Sequence, residues 1–157
     1  MTTTETTQTT TTEIVPAVSV DRLENGRFVA VVLTGALIGK RYVADTLAEA
    51  YETAADAMET AEKTAKLYKR IESLVRSLNE AMKLDPTDYT NRVSYGYIGN
   101  VGPGFDDRYW MVFLPHPGRA GHSADHMGGH ATNDHAGMLA LINQLSGAIT
   151  MARSLYR

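Results

Sequence analysis

The chain has 157 residues, a formal net charge of -3 and no cysteine. This length predicts one domain with a sizeable core, and the lack of cysteine excludes disulfide bonds and thiolate metal sites. The slightly acidic charge gives no general attraction to nucleic acid or anionic membranes. The longest nearly apolar run, residues 28–38, is far shorter than the roughly 20 residues of a membrane-spanning helix. We therefore expect a cytoplasmic protein that binds neither membranes nor nucleic acid.

The N-terminal segment is dominated by threonine, which occupies nine of the first twelve positions. A stretch with so few apolar side chains cannot bury enough surface to offset the entropy lost on ordering. We expect residues 1–14 to form a disordered arm and residues 15–157 to form a single α+β domain.

A first hairpin is indicated by Asn25-Gly26, the pair that favours a two-residue type I′ turn. A loop of this length would place Leu23 opposite Phe28. The second strand, residues 28–33, is apolar on both faces, which is typical of a central strand covered on both sides.

A long helix is predicted over residues 42–84, which contain no glycine or proline. Its length of roughly 64 Å exceeds what a compact domain of this size can cover. We therefore expect its apolar stripe to contact a second copy of the chain. The predicted oligomer interface comprises Leu47, Tyr51, Ala54, Met58, Ala61, Ala65 and Tyr68.

The charges of this helix are segregated along its length. Six acidic and no basic residues lie between Asp45 and Glu62, whereas six basic and two acidic residues lie between Lys63 and Lys83. Antiparallel pairing of two helices would set acidic halves against basic halves, so we expect an antiparallel homo-oligomer. No aromatic residues interleave with the basic ones as they would in a nucleic-acid stacking platform.

A second hairpin is predicted from the alternating residues 93–97 and 108–113, joined by a glycine- and proline-containing loop. Five aromatic residues lie in these two strands. We expect them to form a core face beneath the helices. An alternative is a wall for stacking a ligand, which would include Tyr97 and Trp110.

All five histidines fall between residues 116 and 135, in a segment whose four glycines at positions 118, 121, 128 and 129 predict a loop rather than a helix. Imidazoles and carboxylates are ligands for zinc and other divalent ions, although no standard metal motif is present. The candidate metal ligands are His122, Asp125, His126, His130, Asp134 and His135. The alternative is a polar loop that binds no metal.

A third interpretation of this loop is an anion site. Thr132, Asn133 or Asp134 can cap a final helix over residues 133–155, whose first backbone N–H groups attract anions. Candidate ligand-binding residues for an anion or nucleotide are Arg119, His122, Trp110 and Tyr97.

The element order β-β-α-β-β-α predicts an α+β fold with one antiparallel four-stranded sheet, a very long helix and a C-terminal helix. No catalytic motif is present, so the leading hypothesis is a non-enzymatic homo-oligomeric structural or interaction protein, such as an accessory or virion component, assembled through the long helix. A small-ligand or metal-binding module is the second hypothesis, and a metal-dependent hydrolase is the third.

Overall fold

The computed structural model describes residues 17–89, 91–98, 109–115 and 126–157. The chain divides into two compact units, Met1–Glu59 and Thr60–Arg157, and the boundary falls within the long helix. The strands are β1 (Val18–Arg22), β2 (Phe28–Val32), β3 (Arg41–Ala44), β4 (Ser94–Ile98), β5 (Tyr109–Phe113) and β6 (His126–Ala131), and the helices are α1 (Leu47–Ala81) and α2 (His135–Leu155).

The prediction of one four-stranded sheet is wrong, although the fold is α+β. The described strands form two three-stranded antiparallel sheets, β1-β2-β3 and β4-β5-β6. Each sheet contains a third strand that the sequence pattern did not indicate. Residues 42–44 of β3 were included in the predicted long helix, and the residues of β6 in the predicted loop.

In the first unit, β2 is the central strand and pairs with both neighbours. One face of this sheet packs against the first turns of α1. The buried residues of this core are Val18, Ala30, Val32, Ala50 and Ala54. The small side chains at Ala30, Ala50 and Ala54 let the helix lie close to the sheet, where it removes apolar surface from water.

The turn of the first hairpin differs from the prediction by one residue. The Gly26 amide donates to the Leu23 carbonyl and the Leu23 amide donates to the Arg27 carbonyl, which gives a three-residue loop. Gly26 has φ of 85°, whereas Asn25 is not among the described residues with positive φ. This is a type I turn followed by a glycine bulge, and it pairs Arg22 with Phe28.

Helix α1 is shorter at both ends than predicted. It starts after Thr46, whose hydroxyl accepts from the Glu49 amide while the Glu49 carboxylate accepts from the Thr46 amide, so the two residues form a capping box. At the other end the Leu84 amide donates to the Asn79 carbonyl and the Lys83 amide to the Glu80 carbonyl. With Lys83 at φ of 57°, this Schellman motif ends the helix before Pro86 is reached.

The second unit packs α2 and the later part of α1 around a core that includes Val93 and Val112. The hairpin of β4 and β5 forms as predicted, with Tyr97 opposite Trp110. Helix α2 begins at His135, and the Asp134 carboxylate caps it by accepting from the Gly137 amide at 3.0 Å. Its fully buried residues Met138, Leu141 and Leu145 follow the expected helical spacing.

Strand β6 was not predicted, because two consecutive glycines, Gly128-Gly129, are typical of a loop. In the structure Gly129 pairs with Met111, and a side chain at this position would collide with the backbone carbonyl of Trp110. The glycine therefore permits close approach of two strands rather than a turn.

Neither helix of the described chain combines the length and apolar character needed to cross a membrane.

Candidate functional site

An aromatic cluster occupies one face of the second sheet in the second unit. Tyr68 comes from α1, Tyr95 and Tyr97 from β4, Trp110 from β5 and His130 from β6. The cross-strand register places Tyr97, Trp110 and His130 in one row. Because alternate residues of a strand share a face, Tyr95 joins them on the same side.

The ring geometry centres on Trp110. The rings of Tyr68 and Tyr97 are 5.0 and 5.5 Å from the indole and inclined to it by 63° and 61°. Tyr95 lies 5.3 Å from the same ring at the shallower angle of 31°. Edge-to-face pairs of this kind are favourable beyond the area they bury, so the rings hold one another in place.

The cluster borders a cavity of about 700 Å³, which we call the aromatic pocket. Its described lining residues are Tyr68, Glu72, Tyr97, Trp110 and Thr132. Tyr97 is 49% exposed, so a ligand can reach its ring from solvent. The volume falls within the range of small-molecule sites, roughly 300–1,000 Å³.

The described lining of the aromatic pocket carries a negative charge. Glu72 lies one helical turn after Tyr68 and is the one charged residue among the described residues that line the pocket. The π-faces of tyrosine and tryptophan also carry partial negative charge. Both contributions attract a cation and repel an anion.

Behind the aromatic pocket, the half-buried Tyr95 is hydrogen-bonded to the buried His130. His130 is 1% exposed, and its Nδ1 lies 2.8 Å from the carbonyl oxygen of Ala131. A carbonyl only accepts, so Nδ1 carries a proton, and in the neutral imidazole Nε2 then accepts from the Tyr95 hydroxyl at 2.6 Å. Burial, with the nearby Tyr68 and Glu72 adding to it, raises the pKa of Tyr95.

A second concave surface, which we call the β4 groove, lies between α1 and β4. Its volume is about 260 Å³, and it is lined by Glu72, Val75, Arg76, Asn79, Pro86, Arg92, Val93, Ser94 and Tyr95. Arg92 is held there by a hydrogen bond to the carbonyl of Pro86 and by stacking over the ring of Tyr89.

Asn79 fixes the distance between α1 and the chain that leads into β4. Its Nδ2 donates to the Val93 carbonyl at 2.9 Å, and its Oδ1 accepts from the Val93 amide at 2.8 Å. The buried carboxamide therefore satisfies both backbone groups of one residue, as a neighbouring strand would.

Several of the candidate metal ligands form hydrogen bonds with other groups in the structure. Both nitrogens of His130 are hydrogen-bonded, Asp134 caps α2, and His135 contacts the Thr64 hydroxyl through Nε2 at 2.7 Å. Among the described residues, no three histidine or carboxylate side chains come together as a metal site would require. His122 and Asp125 lie outside the described residues, and His126 begins β6. A zinc or other divalent site in this segment stays a prediction.

Of the candidate ligand-binding residues, the structure brings Tyr97 and Trp110 together as cross-strand neighbours. Arg119 and His122 lie outside the described residues. The described part of the proposed anion site therefore consists of these two rings and the start of α2, where Asp134 is the cap.

The predicted interface residues occupy different environments. Leu47 and Tyr51 are 55% and 52% exposed, and Ala65 is also exposed. Ala54 and Met58 belong to the core of the first unit. Ala61 is half-buried, and Tyr68 contributes its ring to the aromatic pocket in the second unit. Whether a second copy covers the exposed members stays a prediction.

The sequence pattern assigned Glu72 to no site, placed Tyr68 at an oligomer interface and indicated Thr132 only as a possible cap of the final helix. A signal was available for two of them, because Tyr68 and Glu72 are four residues apart and share a helix face. Thr132 had no such signal, since it reaches the pocket only because β6 joins the sheet.

Comparison of the chain with protein-family models, with curated proteins and with solved structures finds no match.

Proposed function

We propose that the second unit is a binding module whose aromatic pocket holds the alkylated ammonium group of an organic cation. The observation that carries this proposal is the combination of two tyrosine rings set at about 60° to one indole with a single carboxylate, Glu72. Aromatic faces attract such cations by about 0.5–2 kcal/mol each, and alkyl groups on the ligand bury apolar surface against the rings.

The charge distribution favours a cation over the anion or nucleotide considered from the sequence. An anion in the aromatic pocket would face the Glu72 carboxylate and the negative ring faces. The non-enzymatic role and the cytoplasmic location are part of this proposal.

The test follows Trp110, the single tryptophan of the chain, by fluorescence. The full chain is titrated with choline and with its uncharged carbon isostere, 3,3-dimethyl-1-butanol. We expect a saturable change with choline and a clearly weaker response to the isostere, because only the cation gains the electrostatic attraction. Equal responses to the two compounds would rule the proposal out.

Two matched variants of α1 test whether choline binds in the aromatic pocket. Glu72→Gln removes the carboxylate and should weaken choline binding about fivefold, the order expected of one exposed charge. Glu80→Gln removes an exposed carboxylate two turns further along α1, outside the pocket, and should change nothing. Adenosine monophosphate serves as the anionic probe, and tighter binding of this compound than of choline would support the anion hypothesis instead.

We also propose homo-oligomeric assembly through α1, in the antiparallel sense that its charge segregation favours. The supporting observation is that Leu47 and Tyr51, one turn apart on the same face, are more than half exposed. Native mass spectrometry of the full chain tests this idea. We expect multiples of the 17.1 kDa chain mass that dissociate in Leu47→Asp/Tyr51→Asp.

Leu139→Asp is the matched control, because Leu139 is 52% exposed on α2. Met58 is unsuitable for substitution, since it packs against the core of the first unit. A monomeric wild-type chain would contradict the assembly proposal and leave the cation proposal unaffected.

A further inference from the structure

We infer that the aromatic pocket and the β4 groove together bind one extended peptide of a partner protein, which adds to the edge of β4 and carries a basic and an acidic side chain two positions apart. This inference rests on the proposed cation site and names its ligand class. Three features of the second unit support it: the edge of β4 that no described strand covers, the lining residue shared by the two cavities, and the order of charges along α1.

The first feature is the edge of the second sheet. In the order β4-β5-β6, no described strand pairs with β4 on the side away from β5. At Val93, just before β4, both backbone groups turn to that side and bond to Asn79. Backbone groups of alternate residues in a strand point to the same edge, so those of Tyr95 point there as well. An added peptide strand would pair with β4 at Tyr95.

The second feature is that the two cavities share a lining residue. Glu72 lines both the aromatic pocket and the β4 groove. Tyr95 lines the groove and Tyr97, two residues further on, lines the pocket, so successive residues on one face of β4 lead from one cavity into the other. A ligand that follows β4 therefore meets both cavities, whereas a small cation fills only the pocket.

The third feature is the order of charges along α1. Glu72 marks the cation site, and Arg76 follows one turn later, about 6 Å along the helix axis. Arg92 adds a second guanidinium to the groove. An extended peptide advances about 3.3 Å per residue and presents alternate side chains to the same side. A basic residue at the pocket therefore places a carboxylate two positions away at Arg76.

The N-terminal arm of this chain is not the matching peptide. Residues 1–14, the predicted arm, contain two glutamates but no lysine or arginine. This segment therefore has carboxylates for Arg76 but no cationic side chain for the aromatic pocket.

The experiment uses two synthetic peptides, Ac-Ala-Lys(Me3)-Ala-Glu-Ala-NH2 and the same composition with the charged residues exchanged. Binding to the full chain is followed by Trp110 fluorescence and compared with N-acetyl-trimethyl-lysine methylamide. We expect one of the two orders to bind at least about tenfold tighter than the single amino-acid amide, because it adds backbone pairing and one ion pair. Preference for one order would also give the direction of the added strand.

Two controls distinguish the contribution of backbone pairing to peptide affinity from the contribution of charge. N-methylation of successive peptide bonds of the better peptide should abolish the gain at alternate positions only, since only alternate N–H groups face β4. Arg76→Gln should remove the gain from the peptide carboxylate without weakening the binding of the amide, and Arg153→Gln, an exposed site on α2, should leave both unchanged.

The inference is overturned if the amide binds and neither peptide binds more tightly, a result that leaves the cation proposal intact. If the amide itself does not bind, both the cation proposal and this inference fail.

Discussion

The Tyr95 hydroxyl donates to Nε2 of His130 over 2.6 Å, and this bond joins the edge strand β4 to β6 across the central strand β5. The other nitrogen of the imidazole is bonded to the Ala131 carbonyl. Both nitrogens of the buried His130 ring are therefore hydrogen-bonded. The ring packs against the aromatic side chains of the cluster.

Tyr95→Phe tests this hydrogen bond. The substitution keeps the ring but leaves the buried Nε2 of His130 without a donor, which should lower the free energy of unfolding by about 1–3 kcal/mol. Urea denaturation monitored by Trp110 fluorescence measures the change. Tyr89→Phe, at a residue that is 81% exposed, should stay within about 0.5 kcal/mol of wild type. Equal effects of the two substitutions would contradict the assigned hydrogen bond.

The same tyrosines predict how stability depends on alkaline pH. Burial raises the pKa of both Tyr68 and Tyr95 above the ordinary value of 10.0. Each phenol then holds its proton more tightly in the folded than in the unfolded chain. Its stabilising contribution is complete below the unfolded pKa and is lost as the pH rises through the folded pKa.

We therefore expect the free energy of unfolding to fall between about pH 9 and about pH 11, the range in which unfolded tyrosines ionise. Tyr95→Phe should make this fall less steep. Urea denaturation at a series of pH values provides the measurement, and a slope that the substitution does not change would exclude Tyr95 as a cause.

Asn79→Ala tests the link between α1 and the start of β4. The substitution removes a buried carboxamide and leaves the backbone N–H and C=O of Val93 without their partners, at a position that is 1% exposed. We expect a loss of about 2–4 kcal/mol, because each unsatisfied group costs about 1–3 kcal/mol. Thermal unfolding followed by circular dichroism measures it. Asn143→Ala, on the exposed side of α2, is the control and should have little effect.

Two glycine substitutions should act in opposite directions. Gly129→Ala introduces a methyl group against the backbone of Trp110 and should destabilise the pairing of β5 with β6. Gly147→Ala, in α2, meets no atom within 4 Å and should stabilise the protein by about 0.5–1 kcal/mol, because alanine loses less backbone entropy in a helix. Melting temperatures of the two variants give the comparison. Stabilisation by Gly129→Ala would show that β6 does not approach β5 this closely.

Local patterns in the sequence were sufficient for several elements. The capping box at Thr46 and Glu49, the helical spacing of Met138, Leu141 and Leu145, and the alternation that forms the hairpin of β4 and β5 are properties of neighbouring residues. These features depend on backbone propensity and on side chains a few residues apart, so they can be predicted without knowledge of the fold.

Strands β3 and β6 could not be predicted from the sequence, because they depend on contacts between distant residues. Residues 41–44 follow the second glycine of a short loop and precede α1 directly, so their β conformation depends on pairing with β2. Gly129 lies in a strand only because Trp110 of β5 passes close to it. In both cases contacts between elements override the local preference.

The sequence alone therefore determined the secondary-structure class, most helix and hairpin positions, and the apolar faces, because these follow from periodicity and local hydrogen bonding. The tertiary structure decided the division into two sheets, the pairing of Tyr95 with His130, and the convergence of Tyr68, Glu72, Tyr97, Trp110 and Thr132 on one pocket. The pocket residues come from one helix, two strands and the chain just after β6. Only long-range packing brings side chains so distant in sequence within reach of one ligand.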